Sequence, residues 1–486
     1  MESLQYEGTQ TRLCICVALL FTLLFAGCWA QDEADLVTSV PGLIGIPNFK
    51  HYSGYLQAGP GKYFHYWFVE SQNNPSTDPL VLWLSGGPGC SSMEGLLAEN
   101  GPFHLNDNGT VYLNPYSWNK LANMLYLESP AGVGFSYSIS GNYQTSDPQV
   151  AEDNYKALQQ FFSKFPSFAS NNFYVFAESY GGVYAPSLSQ LIISRSTNIN
   201  FKGMGVGNGM TSYALNDQSL IYFGYYHGLF GDDLWNQLSQ YCCSSISCKF
   251  YNSSSTNCQN AVTLYQIQDT GLNIYDLYGQ CYGGVGSSAR YAADVSNLFR
   301  QYKFTFKAPV SAVPSSCPSV CVLAGQDFPR CINGTAMYYW LNDPTVRAAL
   351  HIPRSIQTWE LCSSTVGSLY QRVYMDMSPF YQDLLQRNVT LLLYSGDVDM
   401  ACNFIGSKWF VEALNQQVVS QYRPWFYNNQ IAGYVEQYEH ITFLTVKVKT
   451  VSLNEKVTLG TSGLLGGHGV FVLKTTGLTV SLTCYL

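Results

Sequence analysis

Phe173-Tyr-Val-Phe-Ala-Glu-Ser179-Tyr-Gly-Gly-Val-Tyr184 runs from a β-rich apolar segment into a serine, then into small residues and a helical pattern. Its first four residues predict a buried strand, and Gly182 onward predicts a helix. Between the two the chain must turn sharply, and Ala177 and Gly181 place small side chains two residues either side of Ser179. Bulkier neighbours would collide across such a turn, so the spacing fits a nucleophile elbow that holds a serine hydroxyl clear of a sheet. Ser-x-Gly alone says little, because Ser85-Gly-Gly87 matches it too. Taken by itself, the stretch fits an ordinary strand-turn-helix equally well.

Other apolar, β-rich runs recur on both sides: Leu80–Leu84, Met124–Leu127, Met204–Val206, Thr390–Tyr394 and Ile441–Val446. From Ala151, apolar residues at Tyr155, Leu158, Phe162 and Phe165 follow helical spacing until Pro166 stops them. Strands alternating with helices predict an α/β fold with a mainly parallel central sheet and helices on both faces. Residues 211–331 break the rhythm with a cysteine cluster, Gly/Ser-rich pieces and a Pro/Ser/Cys segment. That region reads as a cap insertion between a first core part, 31–210, and a second, 332–447.

The bulk composition narrows the function classes. Hydrophobic residues make up 47% of the 486 and charged residues only 12%, so most of the chain should pack. The net charge is −8 and no Lys/Arg cluster occurs, which argues against nucleic acid as a partner. Residues 1–30 read as a signal peptide: Arg12 precedes an apolar run from Leu13 to Phe25, ending at Cys28-Trp29-Ala30. A membrane anchor is the alternative, but the run is short and no later stretch reaches the ~20 apolar residues a span needs. After cleavage no anchor is expected.

Secretion makes the cysteines legible. Three leave with the signal and twelve of the fifteen remain, with Cys242, Cys243, Cys248 and Cys258 crowded together. In an oxidising compartment this predicts local disulfides, and the spacing lacks the paired ligands of a zinc site. Four sequons, at Asn108, Asn252, Asn333 and Asn388, point to the same route.

Several motifs appear in a fixed order: Gly86-Gly-Pro-Gly-Cys-Ser-Ser92, Glu128-Ser-Pro-Ala-Gly-Val-Gly-Phe-Ser136, Glu178-Ser-Tyr-Gly181, Gly207-Asn-Gly209 and Gly396-Asp-Val-Asp-Met-Ala-Cys-Asn403. Taken alone, the first could be a plain Gly/Pro turn. Together, over residues 37–447, they resemble the serine carboxypeptidases. His65–Ser71 and Gln430–Gly433 are similar to the lysosomal, cathepsin A-like branch in particular.

The resemblance implies an α/β-hydrolase fold and release of C-terminal residues from peptides at acidic pH through an acyl-enzyme. Ser179 would be the nucleophile and Asp399 the residue that orients a catalytic histidine. The N–H groups of Gly87 and Tyr180 would form the oxyanion hole, while Ser85, Glu99 and Glu178 would receive the substrate carboxylate. Two adjacent carboxyls tend to share a proton, which lets one donate to a carboxylate. The family pattern also implies Cys90–Cys362, Cys242–Cys258, Cys243–Cys248 and Cys281–Cys331, with Cys402 free and Cys317, Cys321 and Cys484 unassigned. No metal or other cofactor is implied. The implied partners are peptides, with lysosomal glycosidases and a second copy of the chain as candidates, in the secretory pathway or lysosome.

Three departures stand out. Ser85 replaces the family's Asn, which removes an amide donor. Ala177 replaces a Gly, a small steric change. After Lys447 the family continues with a glycine-rich His-Pro segment and a closing helix, but Val451 stands where the histidine should fall. Residues 448–486 hold no proline and two aromatics, against about six at the chain-wide 15%, and read as translation into unrelated sequence. His468 lies in a superficially similar Gly-Gly-His-Gly, 69 residues after Asp399, and is the weaker candidate base. His351 and His440 read as scaffold. A catalytically dead binding or protective protein is thus one alternative, and an esterase or acyltransferase on the same fold another.

Overall fold

A computed structural model describes residues 33–195, 198–245, 247–268, 272–282 and 331–447, together with the backbone of strands 470–476 and 479–485. The expected signal segment, Cys317, Cys321, Val451 and His468 lie outside the described residues. Cys484 lies on the second of the two late strands, and its side chain is outside them too.

The central sheet contains β1 (His51–Gly59), β2 (Lys62–Val69), β3 (Leu80–Leu84), β4 (Asn123–Leu127), β5 (Phe173–Glu178), β6 (Phe201–Gly207), β7 (Thr390–Gly396), β8 (Val418–Tyr427), β9 (Gln430–Tyr438) and β10 (Ile441–Val446). Their spatial order is β1-β2-β4-β3-β5-β6-β7-β10-β9-β8, with the short strand Tyr137–Ser138 added beside β2. Strands β4 through β10 along this path pair in parallel, and hairpins β1–β2 and β8–β9 add antiparallel edges. Parallel strands need covered faces. β3 is accordingly buried along its whole length, which is why Leu80–Leu84 reads as an unbroken apolar run. All six runs expected to be strands form strands. Hairpin β1–β2 went unread because buried polar residues such as His51, Ser53 and His65 break its apolar run, and β8–β9 because much of β8 is exposed.

Helix α1 (Met93–Ala98) follows β3, α2 (Asp147–Lys164) precedes β5, and α3 (Gly181–Ser194) leaves it. α2 starts four residues before the apolar spacing does, because Ser146 and Pro148 supply its first turn. Val150, Tyr155, Leu158 and Phe161 then pack into the core on one face of the sheet. A second core, containing Trp67, Trp83, Trp340 and Trp359, covers the other face.

Cap helices α4 (Tyr213–Tyr226), α5 (Asp232–Cys242) and α6 (Thr256–Gln268) have a core of their own, with Phe223, Phe230, Leu234 and Leu238. That core includes Val398 and Met400, the two neighbours of Asp399. The cap also straps this loop by backbone: Leu277 donates to the Val398 carbonyl at 3.2 Å and Met400 to that of Ile274 at 2.8 Å. All four disulfides implied by the resemblance are present, and Cys402 is free and buried. The described part of the tail is a β-hairpin, 470–476 with 479–485, where the family pattern has a helix.

Candidate active site

Ser179 closes the turn between β5 and α3 with φ +54°, a region that side chains other than glycine rarely adopt. Strain of this kind persists only where surroundings fix it. Here the Ser179 N–H donates to the Gly207 carbonyl at 3.1 Å, and its own carbonyl accepts from Met210 and Gly182 at 2.9 and 3.0 Å. Small neighbours are required: a Cβ on Gly181 would stand 2.5 Å from the Ala177 Cβ, and one on Gly182 2.7 Å from the Met210 nitrogen. The steric reading of the elbow therefore holds.

The loop after β3 lies directly over this turn. A Cβ on Gly86 would meet the Tyr180 nitrogen at 2.6 Å and the Ser179 Cβ at 2.7 Å, so only glycine fits. Gly87 follows at φ +112°. Gly86 thus packs against the Tyr180 N–H and the serine, with Gly87 next along the loop. The Cys90–Cys362 bridge anchors the far side of this loop.

Glu99 and Glu178 come together as the resemblance implied, and Ser85 joins them by a hydrogen bond to Glu178. Glu94, on α1, is a third member: the three carboxyls lie within 4.8 Å of one another. Nothing in the sequence marked Glu94. Burial, then repulsion from Glu178 and Glu94, hold the Glu99 carboxyl protonated well above the usual range, and Glu99 donates to Glu178. Burial pushes Glu178 up to about 7, and burial with Glu178 beside it pushes Glu94 up to about 8.

Asp399 is buried and also pushed up to about 7 by desolvation, against the pull of three donors. These are Ala401 N–H at 3.1 Å, Cys402 N–H at 3.1 Å and Asn208 Nδ2 at 2.9 Å. Asn208 follows Gly207, the partner of the Ser179 N–H, so this two-residue segment links Ser179 and Asp399. The Gly-Asn-Gly motif carried that signal without revealing the role.

Folded-state values above the ordinary carboxyl range mean that the native protein holds protons its unfolded chain has released. The stabilisation is complete below the ordinary values of 3.8–4.5 and is lost as pH rises through about 7 to 8. The thermal midpoint is therefore expected to be higher at pH 5 than at pH 8, with a smaller difference in Glu178→Gln. Equal midpoints in the native protein across that interval would contradict the coupled cluster.

A further buried carboxylate braces Tyr180. Asp147, buried at the start of α2, accepts from Tyr180 Oη and Tyr370 Oη at 2.8 Å each, and from the Val373 and Tyr374 N–H groups at 2.5 and 2.9 Å. One side chain ties α2, Tyr180 and the 370–374 loop. Donors left buried without acceptors cost ~1–3 kcal/mol, so Asp147→Ala is expected to lose about 2–3 kcal/mol in urea unfolding. A loss below 0.5 kcal/mol, roughly that of an ordinary surface change, would contradict this role.

Among the described residues no histidine bonds Ser179 or Asp399. His65 pairs with buried Glu128 at 2.9 Å, His104 with the Glu99 carbonyl at 3.0 Å, and His351 with the Ser53 carbonyl at 3.0 Å. His51 accepts from Trp67, His227 bonds the Phe223 carbonyl, and His440 lies 3.9 Å from Glu439. His351 and His440 are scaffold residues, as expected.

A strained serine on a strand-to-helix turn of a mainly parallel sheet, with a glycine loop packed against it, fits the α/β-hydrolase fold. The family model described as serine carboxypeptidase matches residues 41–449, and the chain belongs to that family. By family it is a serine-type carboxypeptidase. It is 46% identical over 432 residues to the lysosomal protective protein of Mus musculus, covering 86% of this chain and 90% of that one. It is 38% identical over 445 residues to a serine carboxypeptidase of Caenorhabditis elegans, covering 89% and 92%. The fold is also that of a prohormone-processing carboxypeptidase from Saccharomyces cerevisiae: TM-score 0.65, 21% identity, covering 86% of this chain and 91% of the other.

Proposed function

We propose that this site recognises the free C-terminus of peptides at acidic pH, on machinery built to release the last residue. The observation that carries the reading is the adjacency of Glu178 and Ser179. A carboxyl cluster one residue from the nucleophile leaves room for a single residue between scissile carbonyl and terminal carboxylate. Protonated Glu99 and Glu178 donate to that carboxylate, with Ser85 beside them, whereas an ionised cluster repels it.

In the full reaction Ser179 Oγ attacks the carbonyl carbon while a histidine takes its proton. The Gly87 and Tyr180 N–H groups hold the oxyanion, and the amine leaves as the histidine returns the proton. Water then hydrolyses the acyl-enzyme by the same route. Asp399 orients the histidine in its working tautomer.

The binding half is tested by calorimetry with a blocked dipeptide and its C-terminal amide, at pH 5 and pH 8. The dipeptide is expected to bind at pH 5, and to weaken at least tenfold at pH 8 and on amidation. Equal affinity for acid and amide overturns the reading.

A second reading, that the chain binds or protects without turnover, is favoured by the absence of a described histidine on Asp399 and by Val451 in the sequence. On this reading the compartment is the lysosome or secretory pathway, lysosomal glycosidases are candidate partners, and a homodimer is a candidate state. Turnover of a simple ester alongside a refractory dipeptide would instead favour the esterase or acyltransferase alternative. The cap boundaries, 211–331, belong to the same proposal, supported by the separate core of α4–α6.

A further inference from the structure

Away from the catalytic cleft, a shallow cavity of about 440 Å³ opens between Pro41–Gly42, a hairpin tip at Asp107–Gly109 and the helical segment from Thr335 to Val346. Its size is within the range of small-ligand sites, ~300–1,000 Å³. Tyr339 lines it with 55% of its surface exposed, beside Trp340, whose Nε1 is fixed on the Pro41 carbonyl at 2.9 Å. Asp107 and Asp343 supply carboxylates on its walls. An exposed ring flanked by acceptors suits a pyranose, which sets C–H groups on an aromatic face and directs hydroxyls outward.

The hairpin tip brings a sugar attachment point to this cavity. Asn108 is exposed, lines the cavity and opens the sequon Asn108-Gly109-Thr110. Its Oδ1 accepts from the Thr110 hydroxyl at 2.7 Å and the Thr110 N–H at 3.1 Å, while Nδ2 has no hydrogen-bond partner among the described residues. The tip is also held in place. The Val111 N–H donates to the Gly42 carbonyl at 3.0 Å, and a Cβ on Gly42 would already press the Gly109 carbonyl at 3.3 Å. The neighbouring sequon at Asn333 contributes only its threonine, Thr335, to the lining.

We propose that Asn108 carries an N-linked glycan whose first N-acetylglucosamine seats in this cavity, its apolar face on Tyr339 and its polar groups on Asp343 and Asp107. The inference rests on passage through the secretory pathway, where a lipid-diphosphate-linked oligosaccharide is the donor. Asn108 Nδ2 attacks the anomeric carbon of that donor, the carbon–oxygen bond to the diphosphate breaks, and the amide loses one proton. Attachment at the rim makes seating intramolecular, so even a weak sugar–aromatic contact is populated at a high effective concentration.

The full chain, secreted from a eukaryotic host, is mapped by glycopeptide mass spectrometry and then treated in its native state with peptide N-glycosidase. Asn108 is expected to be occupied, and its glycan to be released at least tenfold more slowly than in Tyr339→Ser. Tyr339→Phe, which keeps the ring, retains the protection. A bare Asn108 alongside other glycosylated sequons overturns the seat and leaves the secretory reading intact. An uncleaved signal with no glycan at any sequon overturns both. Equal release from native protein and Tyr339→Ser shows a glycan that does not seat, and also overturns the proposal.

Discussion

The 486-residue chain is expected to bind a blocked dipeptide at pH 5 without hydrolysing it. Nucleophile and base act as a unit: in subtilisin, removing either costs roughly 10⁶ in kcat, about as much as removing the whole triad. Here the strained Ser179, the Gly86–Gly87 loop, the carboxyl cluster and buried Asp399 are all in place. No described histidine bonds Ser179 or Asp399, and the sequence has Val451 where the family places one. Ser179 should also resist fluorophosphonate labelling. A cooperative thermal transition must accompany the negative result, so that misfolding is distinguished from silence. Rapid labelling at Ser179 with release of C-terminal residues near pH 5 would defeat the expectation. His468→Ala should then abolish that activity, making His468 the base. Absence of residues 448–486 from the mature transcript would instead assign the tail to a splicing error.

Cys90→Ser is expected to lose about 2–5 kcal/mol and to be secreted poorly, as loss of a native disulfide does in secreted domains. The Cys90–Cys362 bridge spans 272 residues of sequence and fastens the loop that approaches Ser179 and Tyr180. Cys243→Ser opens a separation of only 5 residues and should cost less, because shorter loops surrender less entropy. Secretion and denaturation midpoints unchanged in Cys90→Ser would rule the bridge out as a major support.

The elbow was legible because its requirements are local: a strand, a turn and small residues two positions away. The same holds for the parallel strands, whose burial on both faces leaves uninterrupted apolar runs. Glu94, Asn208 and Asp147 were not legible as site residues, because each acquires its role from a partner distant in sequence. Asn208 is 191 residues from Asp399, and Asp147 meets Tyr370 223 residues away. No composition window reports such a meeting. The disulfides fell between these cases: the cysteine cluster predicted local bridges, but their partners came from the family pattern.

The order of the strands also sets a timetable for synthesis. Ser179 emerges from the ribosome 220 residues before Asp399, and Cys90 emerges 272 residues before Cys362. At ~5–20 residues per second these intervals are roughly 10–40 s and 15–55 s. Throughout the second, Cys90 is without Cys362 while the eight cysteines of residues 211–331 emerge, Cys242, Cys243, Cys248 and Cys258 first. Cap pairs separated by 16 and 5 residues can close almost at once, withdrawing these first four competitors before Cys362 arrives. The nascent chain thus relies on early closure in the cap to keep Cys90 available, and a cap cysteine variant would expose Cys90 to mispairing far from the mutation.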